Sequence, residues 1–381
     1  MNEAMARELS PGAARAAADV TAAPTRRRAW VDVFRGLLIA HMALDHASLM
    51  FNSGRGAEEL AAGAAPIADN LAQFLTRFTG VPVAPAFFFM AGFMVALTSF
   101  GRESRGVAAG EVTRRLLVRG LVLIAVDTVI MGLPRAGMGF YSFMALSCIG
   151  VGVIALALLR NVSAKILLAV ALAVLFLHPL LEVSSLPVAL RAILYEPVRT
   201  GVFRSMYPVI PWVAIMIVGF VAGRRVARDG GAPSTGLWTL LALASFALFL
   251  VVRLSGGYGN AYDYESVAST QFWTFAKYPP DLAFLSFSFG CIFLALALLP
   301  ALMRGTTPRL LRPFEIFGRV PFFFYVVHFY VLGTAAALLR TRYGLPETYL
   351  IWLLLLVAMA WPCAWYYRLK SKRPNFVTRY F

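Results

Sequence analysis

The stretch Trp30–Asn52, WVDVFRGLLIAHMALDHASLMFN, decides the fold. It is an apolar helix of membrane length, yet it carries Asp32, Arg35, His41, Asp45 and His46. An ionisable side chain inside a bilayer is costly unless it is paired or faces water. At helical spacing Asp32 and Arg35 (i, i+3) can pair, and so can His41 and Asp45 (i, i+4). Two readings follow. Either these groups are satisfied internal ion pairs that hold a bundle together, or some of them work in a site.

Outward from this helix the chain keeps the same character. Of 381 residues, 60% are hydrophobic and 14% charged, with a mean hydropathy of +0.72. Soluble domains carry roughly 25% charged residues. The fold class expected is all-α, a polytopic membrane bundle of about ten helices, since each span needs about 20 residues. Apolar runs lie near 30–51, 81–99, 116–133, 140–159, 164–181, 207–223, 236–254, 282–303, 316–338 and 347–367. The domain reading is a disordered cytoplasmic tail over 1–28, one transmembrane domain over 29–370 and a cytoplasmic C-terminal tail over 371–381. The three cysteines, Cys148, Cys291 and Cys363, sit in apolar runs without CxxC spacing and imply neither a disulfide framework nor a metal site.

The net charge of +16 is unevenly placed. One set of alternate loops and both tails hold 22 basic residues, and the other set holds 10 with nine carboxylates beside them. By the positive-inside rule both termini are cytoplasmic. The excess is a topology signal and an attraction to anionic lipid headgroups, with no role for nucleic acid. His46 then lies 16 residues past Trp30, about 24 Å deeper at 1.5 Å per residue. Arg35 falls near the cytoplasmic surface, and Asp45 and His46 near the outer one. Loops over 52–80, 182–206 and 255–280 are plausible walls for a site on that side.

Four further motifs stand out. In VPVAPAFFFMAGFMVALTSFGRESR, Gly92 permits close helix approach. In YPVIPWVAIMIVGFVAGRR, Tyr207 and Trp212 suit an interface belt. AKYPPDLAFLSFSFG brings Lys277, Tyr278 and Asp281 to the outer mouth of a span, either as a solvated pair or as substrate ligands. FGRVPFFFYVVHFYVLG puts His328 inside an apolar span with Arg319 at its start; a lone buried histidine is usually a satisfied core residue. His178 reads as structural. No GxSxG, HExxH, Walker loop or dinucleotide turn is present.

Taken in order, VDVFRGLLIAHMALDH, FFFMAGFMVALTSFGR, MALSCIGVGVIALALLR, YPVIPWVAIMIVGFVAGR, KYPPDLAFLSFSFG and FGRVPFFFYVVHFYVLG resemble the transmembrane acyltransferases of the heparan-alpha-glucosaminide N-acetyltransferase type. The acyltransferase 3 family is a more distant likeness. The resemblance implies transfer of an acetyl or other acyl group from cytoplasmic acetyl-CoA (or another acyl-CoA), across the bacterial inner membrane, to a sugar or glycan amine or hydroxyl outside. It implies no metal and is compatible with a homodimer. Under it, His46 is the base with Asp45 beside it. Arg35, Asp32, Arg319 and His328 are donor-binding candidates, and Lys277, Tyr278 and Asp281 acceptor-binding ones. An imidazole suits the proton transfer, and coenzyme A phosphates suit arginine. The rival class is a transporter or flippase for a saccharide or lipid-linked substrate, which also uses intramembrane Asp, Arg and His; a paired broken-helix pattern in the two halves is not evident.

Overall fold

The computed structural model describes residues 28–55, 68, 70–132, 141–199, 203–230, 234–303, 306–372, 375, 378 and 380. The tail expected over 1–28 falls outside the described residues except for Arg28, and so does more than half of 371–381. Helices dominate: nine of the ten apolar runs form one helix each, and the run over 316–338 forms two. The quoted stretch forms α1, Ala29–Phe51. A short α2, Leu71–Phe78, precedes α3, Val83–Glu103. Helix α4, Ala109–Ala125, widens into a π turn over Val126–Ile130. Helices α5, Ala145–Leu159, and α6, Ala164–Leu177, follow, then a short α7, Val188–Leu194. Next come α8, Val209–Arg228, α9, Thr235–Ser255, and α10, Leu282–Met303. The chain closes with α11, Arg312–Arg319, α12, Pro321–Leu339, and α13, Leu345–Lys372.

Six helical stretches among the described residues are long and apolar enough to cross a membrane: Leu71–Glu103, α8, α9, α10, α12 and α13. The protein is therefore of the integral membrane class. The other four apolar runs also fold as helices, but α5 and α6 are shorter, and α1 and α4 carry more charge. The apolar run over 316–338 is broken in two. Pro321 has no N–H to continue a helix and drives the preceding Val320 out of the α region (φ −133°, ψ 49°). A small sheet, which the composition did not suggest, caps one end. Strand β3, Phe203–Ser205, pairs in parallel with β1, Tyr141–Phe143, and antiparallel with β2, Val198–Arg199.

Glycine sets the helix spacing. An added Cβ on Gly92 of α3 would stand 1.8 Å from the Met216 carbonyl oxygen of α8, and one on Gly219 of α8 would stand 2.0 Å from the Phe89 oxygen of α3. The two backbones therefore touch, as the small residue at Gly92 foreshadows. Gly36 of α1 meets the Phe314 oxygen of α11 in the same way, at 1.7 Å, and Gly318 of α11 returns the contact on the Asp32 oxygen. Phe88, Phe89, Phe93 and Trp212, all fully buried, fill the core around the α3–α8 contact.

The loop between α9 and α10 is tied down by two buried charges. Arg253, 1% exposed, donates to the carbonyls of Phe272, Gln271 and Tyr262, each at 2.8 Å, and to Asn260 Oδ1 at 2.9 Å. Asp281 accepts the N–H groups of Ala261, Ala276 and Phe284. Burial pushes its carboxyl up to about 6, against the opposing pull of those three N–H groups and of Arg253.

The glycine contacts make a direct prediction. Gly92→Ala must part α3 and α8, and such overpacking costs about 1–3 kcal/mol. The purified variant is expected to melt several degrees below the parent. Gly333→Ala, where the new Cβ meets nothing within 4 Å, is expected to melt at or above it. Equal melting temperatures for the two variants would refute the backbone contact.

Candidate active site

Helix α1 places His46 against α12. His46 Nδ1 lies 2.9 Å from His328 Nε2 with the rings nearly coplanar, 5° apart. His328 is fully buried, and its Nδ1 lies 2.8 Å from the Phe324 carbonyl oxygen, one helical turn back. Phe329 packs edge-on to both rings. The i, i+4 pairing of His41 and Asp45 does not form a hydrogen bond. Asp45 instead accepts Arg55 at 2.9 Å, and the same guanidinium bonds the Asp45 carbonyl at 2.7 Å. His41 Nε2 has no hydrogen-bond partner among the described residues.

His46 and Asp45 line one end of a cavity of about 320 Å³. With them at that end are Arg204, Tyr207, Lys277 and Tyr278. The β1–β3 pairing carries Arg204 there, and the loop anchored by Arg253 and Asp281 carries Lys277 and Tyr278. The Lys277 ammonium stands 5.0 Å from the centre of the Tyr278 ring and 5.9 Å from that of Tyr207. The Tyr278 hydroxyl donates to the Tyr207 hydroxyl at 2.9 Å. An adjoining pocket of about 80 Å³ shares Asp45, Lys277 and Tyr278 and adds Arg55, Arg77, Phe78 and Trp273.

The other end of the cavity holds Arg35, Arg102, Arg115, Arg119 and Tyr380. Arg35 and Arg102 repel Arg119. Glu111 pairs with Arg115 at 2.6 Å and Asp32 with Arg35 at 3.6 Å; cationic charge remains in excess at this end. Between the two ends the wall is apolar: Ile39 and Met42 of α1, Phe87, Ala91 and Met94 of α3, Ile149 of α5 and Tyr325 of α12. Arg35 and His46 are 11 residues apart on α1, about 16 Å along the axis. The cavity offers a charged mouth for an anion, an apolar passage and a histidine with a cation at the far end.

The candidate residues named from the sequence divide between the cavity and its supports. Arg35, Asp45, His46, Lys277 and Tyr278 line it. Asp32 and Arg319 stand behind Arg35, with Asp32 4.0 Å from Arg319 Nε and Arg319 bonded to Glu315. Asp281 serves the loop, and His328 sits behind His46 rather than among donor ligands. Arg102, Arg115 and Arg119 enter the sequence only as topology signals. The repeat of Arg115 and Arg119 on α4 at i, i+4 is the one sign that two of them share a face. Arg204, Tyr207 and Tyr380 carry no sequence signal of a site. His178 contacts the Tyr195 hydroxyl at 3.4 Å, apart from the cavity. Among the described residues no group of three or more His, Cys, Asp or Glu side chains is gathered as for a metal ion.

The profile of the family described as heparan-alpha-glucosaminide N-acetyltransferase, catalytic, matches residues 27–253. No match to a curated protein was found. The matched stretch holds His46, Asp45 and the four arginines of the charged mouth; Lys277, Tyr278 and His328 lie beyond it. Because the match covers more than half of the chain, the protein belongs to the heparan-alpha-glucosaminide N-acetyltransferase catalytic family of membrane acetyltransferases.

Proposed function

We propose that the protein moves an acetyl group from acetyl-CoA, bound from the cytoplasm, to an amine or hydroxyl of a sugar or glycan on the outer side of the bacterial cytoplasmic membrane. The observation that carries this reading is the single cavity with arginines at one end and His46 at the other. The nucleotide phosphates fit Arg35, Arg102, Arg115 and Arg119, where charge-assisted hydrogen bonds are strong. The thioester-bearing arm fits the apolar passage between Ile39, Ala91 and Ile149. Residues 29–370 act as one domain, because the cavity walls come from α1 to α12.

At the far end His46 takes the proton of the acceptor as it attacks the acetyl carbonyl. The new C–N or C–O bond forms, the C–S bond breaks, and the thiolate of coenzyme A receives the proton. Lys277 supplies a cation for the oxygen of the tetrahedral intermediate, where preorganised charge is most effective. Tyr278 donates to Tyr207, which leaves the Tyr207 O–H to donate to a substrate oxygen. Arg55, Arg77 and the aromatic rings of the adjoining pocket suit a sugar ring stacked on Trp273 or Phe78. Asp45 holds Arg55 in place and does not orient His46.

Three measurements test this reading. A transporter would leave acetyl-CoA intact, whereas the purified protein is expected to release coenzyme A from it. His46→Gln keeps an N–H for His328 but provides no base, and turnover is expected to fall about 10²–10⁴-fold; wild-type-like turnover would remove His46 from the role. Arg119→Ala is expected to melt at or above the parent when empty, because repulsion from Arg35 and Arg102 is relieved. It should lose most of the rise in melting temperature that coenzyme A gives the parent. A full ligand-induced rise would move the donor elsewhere.

Orientation is tested separately. In a background without the native cysteines, an impermeant thiol reagent added outside intact cells is expected to label Val267→Cys and to spare Gly230→Cys. The reverse pattern would put the arginine mouth outside and exclude a cytoplasmic donor.

A further inference from the structure

The hydrogen-bond chain behind His46 ends on the backbone, and that end assigns every proton along it. The Phe324 carbonyl oxygen can only accept, so His328 Nδ1 carries a hydrogen and donates it across 2.8 Å. His328 has no exposed surface, is ringed by Phe324, Tyr325 and Phe329, and hydrogen-bonds to no carboxylate among the described residues. A cation at such a site is costly, so the ring is neutral and its Nε2 holds a lone pair. The 2.9 Å contact with His46 then has one direction: His46 Nδ1–H donates to His328 Nε2. The lone pair of His46 is left on Nε2.

We infer that His328 is a positioning residue that locks His46 in the tautomer protonated on Nδ1, making Nε2 the atom that exchanges protons with substrates. The inference rests on the proposed role of His46 as base. The orienting partner in this protein is a neutral imidazole where other histidine bases use a carboxylate. Asp45 cannot fill that place: consecutive residues on a helix point about 100° apart, and its carboxylate is committed to Arg55. A neutral acceptor also brings no second charge into the apolar bundle. Once His46 Nε2 has taken the acceptor's proton, the Nδ1–H···Nε2 bond becomes charge-assisted and stronger. The proton has no onward route, because the far nitrogen of His328 already donates to Phe324. The same proton therefore returns from His46 Nε2 to the departing thiolate. The amine loses one hydrogen, the thiolate gains it, and the enzyme ends as it began.

The lock predicts a spectrum and a rescue. In protein labelled with ¹⁵N-histidine, the resting His46 ring is expected to be protonated on Nδ1 and bare on Nε2, with its signals assigned by their loss in His46→Gln. His328→Leu removes the acceptor and is expected to give mixed His46 tautomers and a kcat about 10–100-fold lower, the scale on which orienting partners of functional histidines act, with the donor KM unchanged. His328→Gln offers an amide oxygen to the same Nδ1–H and is expected to recover most of kcat and the single tautomer. A resting His46 protonated on Nε2, or a His328→Leu variant with parental kcat and tautomer, would overturn the lock. The parental spectrum needs no variant at position 328 to fold. It also separates the two ideas: an active His46→Gln would end the role of base, while an Nδ1-protonated spectrum would still uphold the lock.

Discussion

An ionisable group in the apolar bundle is costly without a partner, and the partners found on α1 arrange much of the rest of the protein. On α1, Asp32 is met by Arg35 and Arg319, Asp45 by Arg55, and His46 by His328. Each pairing draws a different segment onto the same helix: α11, the loop after α1, and α12. Elsewhere Arg160 joins α5 to α3 through Glu103 and to Thr113 of α4. Breaking a buried pair by removing one partner typically costs about 3–5 kcal/mol, so these ties are hard to lose. They add specificity of placement that apolar packing lacks, since one leucine in lipid contact can replace another.

Helix α3 shows how a cavity can persist next to so tight a core. One of its faces carries Phe89, Gly92, Phe93 and Ala96, and there its backbone rests against α8. The face about a third of a turn away carries Ala84, Phe87, Ala91, Met94, Thr98 and Arg102, repeating at three and four residues, and all six line the cavity. The glycine contacts hold that second face in register along its length, from Ala84 near His46 to Arg102 at the charged mouth. Met90, Met94 and Met42 give the passage flexible walls, which suits an occupant that slides along it.

Much of this was legible in the chain alone. Nine of the ten apolar runs became one helix each and the run over 316–338 became two, because long hydrophobic periodicity is a local property. Gly92 announced a close contact, and the α1 residues His46, Asp45 and Arg35 line the cavity. The misplacements have several causes, and one is distance along the chain. His46 and His328 are 282 residues apart, and nothing in either segment says that they meet. Asp281 reads as a substrate ligand beside Lys277, but its carboxylate is taken up by the N–H groups of the loop it anchors. Arg102, Arg115 and Arg119 disappeared into a charge count, because the positive-inside rule uses arginines without asking which way they face. The small sheet that carries Arg204 rests on strands of two and three residues, too short for any periodicity to show.

The family match and the site do not end at the same place. The profile stops at residue 253, inside α9, at the arginine that fastens the next loop. Everything the charged mouth needs from α1, α3 and α4 lies before that point. The far end of the cavity draws on both sides of it: Asp45, His46, Arg204 and Tyr207 precede it, whereas Lys277 and Tyr278 follow, and so do His328 and the Tyr325 and Phe329 walls. The matched part therefore contains His46 without His328, and a passage open on one side. Helix α12 closes that side and supplies the partner through the same turn, Phe324 to His328.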